Sequence, residues 1–154
     1  SLKTVRQLFL QGKSRLQGLP DTNPDLEARI LLLKSAALSE KEFWVFPDRF
    51  LPQAVENRYR TLVGRRLARW PLAYLNGEKE FWSRSFIVFP GVFIPRPETE
   101  IVVERVKELS SGKTEIIVDI GTGSGAIAAA RSPSRSRQRA AISRFFTGFP
   151  FLLD

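Results

Sequence analysis

Asp119-Ile120-Gly121-Thr122-Gly123-Ser124-Gly125 carries the residue types and spacing best suited to holding a ligand. The apolar run Ile116-Ile117-Val118 precedes it and Ala126-Ile127-Ala128-Ala129-Ala130 follows, the pattern of a strand, a glycine turn and a helix start. Glycines at alternate positions adopt φ > 0 and bring backbone to a ligand where a Cβ would clash. A strand running into a helix through such a turn presents a surface for a nucleotide-like molecule. The spacing is Gly-x-Gly-x-Gly, so the dinucleotide fingerprint is not met, and no Lys-Ser or Lys-Thr makes it a phosphate-binding P-loop. A plain tight turn from strand to helix fits the same residues. A second constellation precedes it: Pro95-Arg96-Pro97-Glu98-Thr99, with Glu100 after it. Pro97 suits the first turn of a helix, and Glu98 and Glu100 sit where the helix dipole favours negative charge. On residue types alone this is a rigid lead into a helix, with Arg96 and Glu98 forming local ion pairs.

The elements that must position these residues fall into two regions. Residues 1–76 read as helices. Leu2, Val5, Leu8, Phe9 and Leu16 form the stripe of a first helix. Asn23 caps a second, with Pro24 at its first position and Leu26, Ile30, Leu33 and Ala37 on one face. Ser39-Glu40-Lys41-Glu42 is a capping box for a short helix whose Phe43, Trp44 and Phe46 read as core. Pro52 opens a longer helix with Val55, Tyr59, Leu62, Val63 and Leu67 inward, and Arg58, Arg60, Arg65, Arg66 and Arg69 on a solvated face. Residues 77–94 change to β-type runs, Lys79–Trp82 and Phe86–Phe89, around a turn at Ser83-Arg84-Ser85. A helix over 98–109 with a broad apolar face (Ile101, Val102, Val103, Val106, Leu109) and a strand at 115–119 complete the approach to the glycine loop.

Composition narrows the chemistry. The 154 residues include neither Cys nor His. That excludes disulfides, thiolate metal sites, histidine-based triads and zinc hydrolases; no metal is expected. No apolar run is long enough to span a membrane, and the N-terminal residues show no signal-peptide core, which points to a cytoplasmic protein. The formal net charge is +8. Residues 131–154 hold five Arg and one Asp, so half of that excess lies in the last 24 residues.

Phe93-Ile94-Pro95-Arg96-Pro97-Glu98-Thr99-Glu100, taken with Gly77-Glu78-Lys79-Glu80-Phe81-Trp82 and Trp70-Pro71-Leu72-Ala73-Tyr74-Leu75, strongly resembles the HemK family of protein-(glutamine-N5) methyltransferases. The resemblance covers roughly residues 24–128, and the acid-ended strand with its three glycines is similar to the first motif of S-adenosylmethionine-dependent methyltransferases. It implies a helical substrate-recognition domain over 1–76, a β-hairpin linker over 77–94 and, over 95–130, the start of an α/β, Rossmann-like methyltransferase domain. It also implies S-adenosylmethionine as cofactor and a peptide chain release factor as partner, methylated on the glutamine side-chain amide of a Gly-Gly-Gln motif. Asp119, Gly121, Thr122, Gly123, Ser124 and Gly125 would then face the cofactor, with Pro95, Arg96, Pro97, Glu98 and Thr99 near cofactor or substrate.

Two parts of the family pattern do not occur. No second strand ends in an acid for the ribose hydroxyls, and the Asn-Pro-Pro-Tyr motif that grips the substrate amide is absent, so no catalytic residue is assigned. Asn-Pro occurs once, at Asn23-Pro24, and reads as a helix cap. The Arg/Ser-rich residues 131–154 read as an out-of-frame tail. With Arg131-Ser132-Pro133-Ser134-Arg135 taken as CGN-TCN-CCN-TCN-CGN, reading from the third base encodes the alternating apolar and small residues of the missing helix. Without enzyme activity, the chain would be a release-factor-binding module. A basic RNA-binding protein acting through residues 131–154, and an amino-methyltransferase of nucleic-acid bases, are further readings.

Overall fold

A computed structural model describes residues 2–109 and 123–131, the side chain of Arg131 excepted. The chain divides into two compact units, Ser1–Gly77 and Glu78–Asp154.

The first unit is all helical. Helix α1 (Val5–Leu16) starts at a capping box in which Thr4 Oγ1 accepts from the Gln7 N–H and Gln7 Oε1 accepts from the Thr4 N–H. The N–H groups of Val5 and Arg6, orphaned by helix geometry, donate to the carbonyls of Arg49 and Pro47. Helix α2 (Pro24–Ala36) is capped by Asn23, whose side chain accepts from the Leu26 N–H at 3.2 Å. The lone Asn-Pro pair is therefore a cap, as its sequence context indicates. Helix α3 (Glu40–Val45) has the expected Ser39/Glu42 capping box, and Pro52 precedes α4 (Gln53–Leu67). Helix α5 (Leu72–Asn76) ends at Gly77, where φ is 83° and a Cβ would be strained.

These helices enclose Val5, Leu8, Leu16, Ala28, Leu31, Leu32, Phe43, Tyr59 and Val63. Three expectations change here. Helix α2 buries Ala28, Leu31, Leu32 and Ser35, not the face through Leu26, Ile30, Leu33 and Ala37; apolar residues ring this helix, so periodicity does not select a side. Leu2 is exposed, and the first stripe closes instead through buried Gly12, which lies against Tyr59. In α3 only Phe43 is core, edge-on to Phe9 with ring centroids 5.2 Å apart, whereas Trp44 and Phe46 are exposed.

The second unit begins with an antiparallel hairpin of β1 (Glu78–Phe81) and β2 (Arg84–Ile87), in the register Glu78 to Ile87 and Phe81 to Arg84. Its turn is Trp82-Ser83, one residue earlier than the sequence suggests, and Arg84 and Ser85 belong to β2. Both turn residues have positive φ (52° and 54°), the backbone of a two-residue turn whose twist matches the strands. A 3-10 turn at Pro97–Thr99 then leads into α6 (Glu100–Leu109), and α7 covers Ala126–Arg131. Phe81, Val103, Ala126 and Ala130 form a small core, with Trp82, Phe86 and Ile127 packed against it. Of the apolar face expected on α6 only Val103 is buried, and Ile101, Val102 and Leu109 stay exposed. Among the described residues the one sheet is this hairpin. The expected strand at 115–119, with the parallel sheet it would start, lies outside them, as does the tail beyond Arg131. No helix among the described residues is long and apolar enough to cross a membrane.

Candidate functional site

In the Pro95–Thr99 segment, Pro95 is buried and leads into the 3-10 turn that Pro97 opens, closed by the Thr99 N–H donating to the Arg96 carbonyl at 3.0 Å. Arg96 is exposed and its guanidinium lies 5.9 Å from the centroid of the Phe93 ring. Glu98 is exposed and Thr99 half-buried. Among the described residues neither Arg96 nor Glu98 takes an ion pair, so the local pairing suggested by their proximity does not form. The segment is held in place by Glu100: its Oε1 accepts from the Trp82 N–H at 2.8 Å and ties the start of α6 to the hairpin turn. Lys107, about two turns further along α6, places its ammonium 4.9 Å from the centroid of the Trp82 ring. This clamp supports Trp82 in a left-handed conformation that a bulky residue rarely adopts. Sequence reasoning missed it, because a Trp-Ser pair carries none of the Asn-Gly or Asp-Gly signature of such turns.

The described part of the glycine loop is Gly123-Ser124-Gly125; Asp119, Gly121 and Thr122 lie outside the described residues. Gly123 and Gly125 have φ of 55° and 73°, so both use the conformational freedom for which glycine is needed. Ser124 is half-buried, and the Gly125 carbonyl accepts from the Ala129 N–H as α7 begins. Helices α6 and α7 meet where Val103 packs with Ala126 and Ala130. The two constellations thus stand at the leading ends of two helices in contact. Among the described residues no hydrogen bond joins Pro95–Thr99 to Gly123–Gly125. The Arg84 guanidinium donates to the Ala129 carbonyl and fastens β2 to α7.

In the first unit, α2 and α4 are joined by a two-pronged ion pair. Arg66 Nε lies 2.7 Å from Glu27 Oε2, and its Nη2 donates to Glu27 Oε1 at 3.1 Å. Arg66 Nη1 reaches the Trp70 carbonyl at 3.3 Å, fixing the chain as it leaves α4. Arg66 is therefore a packing residue and leaves the solvated arginine face. Arg58, Arg60, Arg65 and Arg69 are exposed, as expected. The Arg65 guanidinium lies over Trp70, 5.3 Å from its ring centroid.

Residues 7–77 match the PrmC N-terminal domain family, a span that ends at Gly77, where the first compact unit also ends. The chain is 37% identical over 127 residues to the release factor glutamine methyltransferase of Koribacter versatilis, covering 82% of this chain and 45% of that protein. It is 41% identical over 126 residues to that of Nitratidesulfovibrio vulgaris, covering 81% and 42%. With that of Haemophilus influenzae it shares 39% over 117 residues, covering 72% and 40%. This chain belongs to the PrmC/HemK family. It spans less than half the length of these curated relatives. As a family member, it has the helical PrmC domain followed by a β-hairpin and helices. Within that domain, the two-pronged Glu27–Arg66 pair and the close approach of Gly12 to Tyr59 hold the helices that the family match covers.

Proposed function

We propose that this chain serves S-adenosylmethionine-dependent methylation of the glutamine side-chain amide in the Gly-Gly-Gln motif of peptide chain release factors. Residues 1–76 recognise the release factor and residues 95–130 begin the cofactor-binding domain. The observation that carries this reading is the match of residues 7–77 to the PrmC N-terminal domain, with the likeness to release factor glutamine methyltransferases extending beyond it.

The described loop residues fit such a cofactor. Gly123 and Gly125 hold positive φ, and a loop of that conformation lets backbone approach the methionine moiety without a Cβ between. Asp119, Gly121, Thr122 and Ser124 complete the cofactor surface in this reading, Asp119 as an acceptor for an N–H-bearing group. When bound, the cofactor supplies an electrophilic methyl group. The protein's part is to align acceptor and donor, since methyl transfer needs nucleophile, methyl and leaving sulfur in line. Pro95 to Thr99, rigid through two prolines and the Glu100–Trp82 tie, serve as a wall near the cofactor and the entering glutamine. A neutral amide nitrogen is a weak nucleophile and needs a grip of the Asn-Pro-Pro-Tyr kind. That motif does not occur in these 154 residues, so these residues by themselves should bind a release factor and transfer no methyl to it. Calorimetric titration of the chain with a purified release factor tests the reading. Saturable binding without turnover of labelled cofactor is expected. No binding would overturn the recognition role, and turnover would overturn the inactivity.

A further inference from the structure

The first unit holds thirteen Lys and Arg against seven Asp and Glu, a net of +6 over residues 1–77. Six of these cations are paired: Lys3 with Glu56, Arg6 with Asp48, Lys13 with Asp25, Arg29 with Glu40, Arg49 with Glu42 and Arg66 with Glu27. The other seven are exposed and take no ion pair among the described residues, and Arg58, Arg65 and Arg69 among them lie on α4 or just after it. Arg58 and Arg65 are seven residues apart on α4, two helical turns, and so share a face. Arg69 follows the helix C-terminus with φ of 68°, where the Trp70 N–H donates to the Arg65 carbonyl. That is the left-handed closing position at which glycine is the usual residue. Holding a residue other than glycine there costs about 1–2 kcal/mol.

We infer that Arg58, Arg65, Arg69 and Trp70 form a docking face for an acidic surface of the protein substrate; this rests on the release-factor reading above. A guanidinium fork matches a carboxylate or a phosphate with two parallel hydrogen bonds, so the arginines alone fit either an acidic protein or RNA. Three features favour the folded protein. Arg65 is steadied over Trp70, and Arg66 beside it is locked by Glu27, so the face is ordered before the partner arrives. Arg and Trp are also the side chains that dominate protein interfaces. Single-stranded RNA needs open aromatic faces on which bases stack, and Arg65 already lies over the Trp70 ring.

The test uses the full chain, a purified release factor and poly(U) as RNA probe. Binding to the release factor should weaken about tenfold in the triple variant Arg58→Glu, Arg65→Glu, Arg69→Glu and fall steeply with salt in the unaltered chain. Arg→Gln at the same three positions should give a smaller loss. Circular dichroism should show both variants folded, since all three side chains are exposed. Release-factor binding by the unaltered chain that is indifferent to salt and to all three substitutions overturns the docking face and leaves the release-factor reading intact. Absence of that binding in the unaltered chain overturns both. Salt-sensitive poly(U) binding that the triple variant loses, with release-factor binding unchanged, overturns the protein partner in favour of RNA.

Discussion

Replacing Gly12 by alanine sets two effects of opposite sign against each other. Gly12 lies within α1, where alanine is favoured over glycine by about 1 kcal/mol. Its Cβ, however, would stand 1.8 Å from Tyr59 Oη and 2.6 Å from Cζ. Tyr59 is 2% exposed and its hydroxyl donates to the Ala28 carbonyl at 3.2 Å. Ordinary contact requires the phenol to withdraw by about 1.5 Å within a close-packed interior, at an overpacking cost of about 1–3 kcal/mol. The same movement breaks the hydrogen bond to Ala28 and leaves buried polar atoms unsatisfied, about 1–3 kcal/mol more. With the propensity gain deducted, Gly12→Ala should destabilise the first unit by roughly 1–5 kcal/mol. Gly64→Ala is the matched control. Gly64 lies in α4, and a Cβ added there would meet nothing within 4 Å, so propensity alone acts and stability should rise by about 1 kcal/mol. Urea denaturation followed by far-ultraviolet circular dichroism reads both variants. If Gly12→Ala is stabilised as Gly64→Ala is, the close approach of α1 and α4 at Tyr59 is wrong.

Other substitutions test the pairings of the first unit. Glu27→Ala strands Arg66, whose side chain is 13% exposed, and should cost about 3–5 kcal/mol, whereas the paired change Glu27→Met with Arg66→Met should be near neutral in the same denaturation assay. Arg69→Gly relieves the left-handed backbone and should raise stability by about 1 kcal/mol while weakening release-factor binding; a stability loss would contradict the strain. The Ser39 backbone N–H, then its hydroxyl, hold the Glu42 carboxyl below its usual value of 4.5. That contribution is present above 4.5 and is lost as pH falls through the lowered value, so unfolding at stepped pH should show the unaltered chain converging on Glu42→Gln in acid. A constant gap between the two at all pH values would show that the charge does not matter.

Local signals in the sequence were legible where the chemistry is local. Asn23-Pro24, Ser39 to Glu42 and Pro97 mark helix starts because caps and proline act within one turn. Choosing a buried face fails on α2, where apolar residues lie on all sides and only the packing of α1 and α4 decides. Gly12 reads as an ordinary helical glycine until Tyr59, 47 positions away in sequence, fills the space beside it. Arg66 looks like its exposed neighbours because Glu27 lies 39 residues earlier. Of the candidate site, the positive φ of Gly123 and Gly125 follows from their glycine identity. The bracing of Pro95–Thr99 through Glu100 and Trp82 does not, since it links a helix start to a turn of unusual composition.

Amide hydrogen exchange of the full chain, with and without a purified release factor, tests the recognition role of the PrmC domain most directly. Slowed exchange within residues 1–77, strongest from Arg58 to Trp70, is the expected result. Unchanged exchange throughout residues 1–77 under saturating release factor would contradict it.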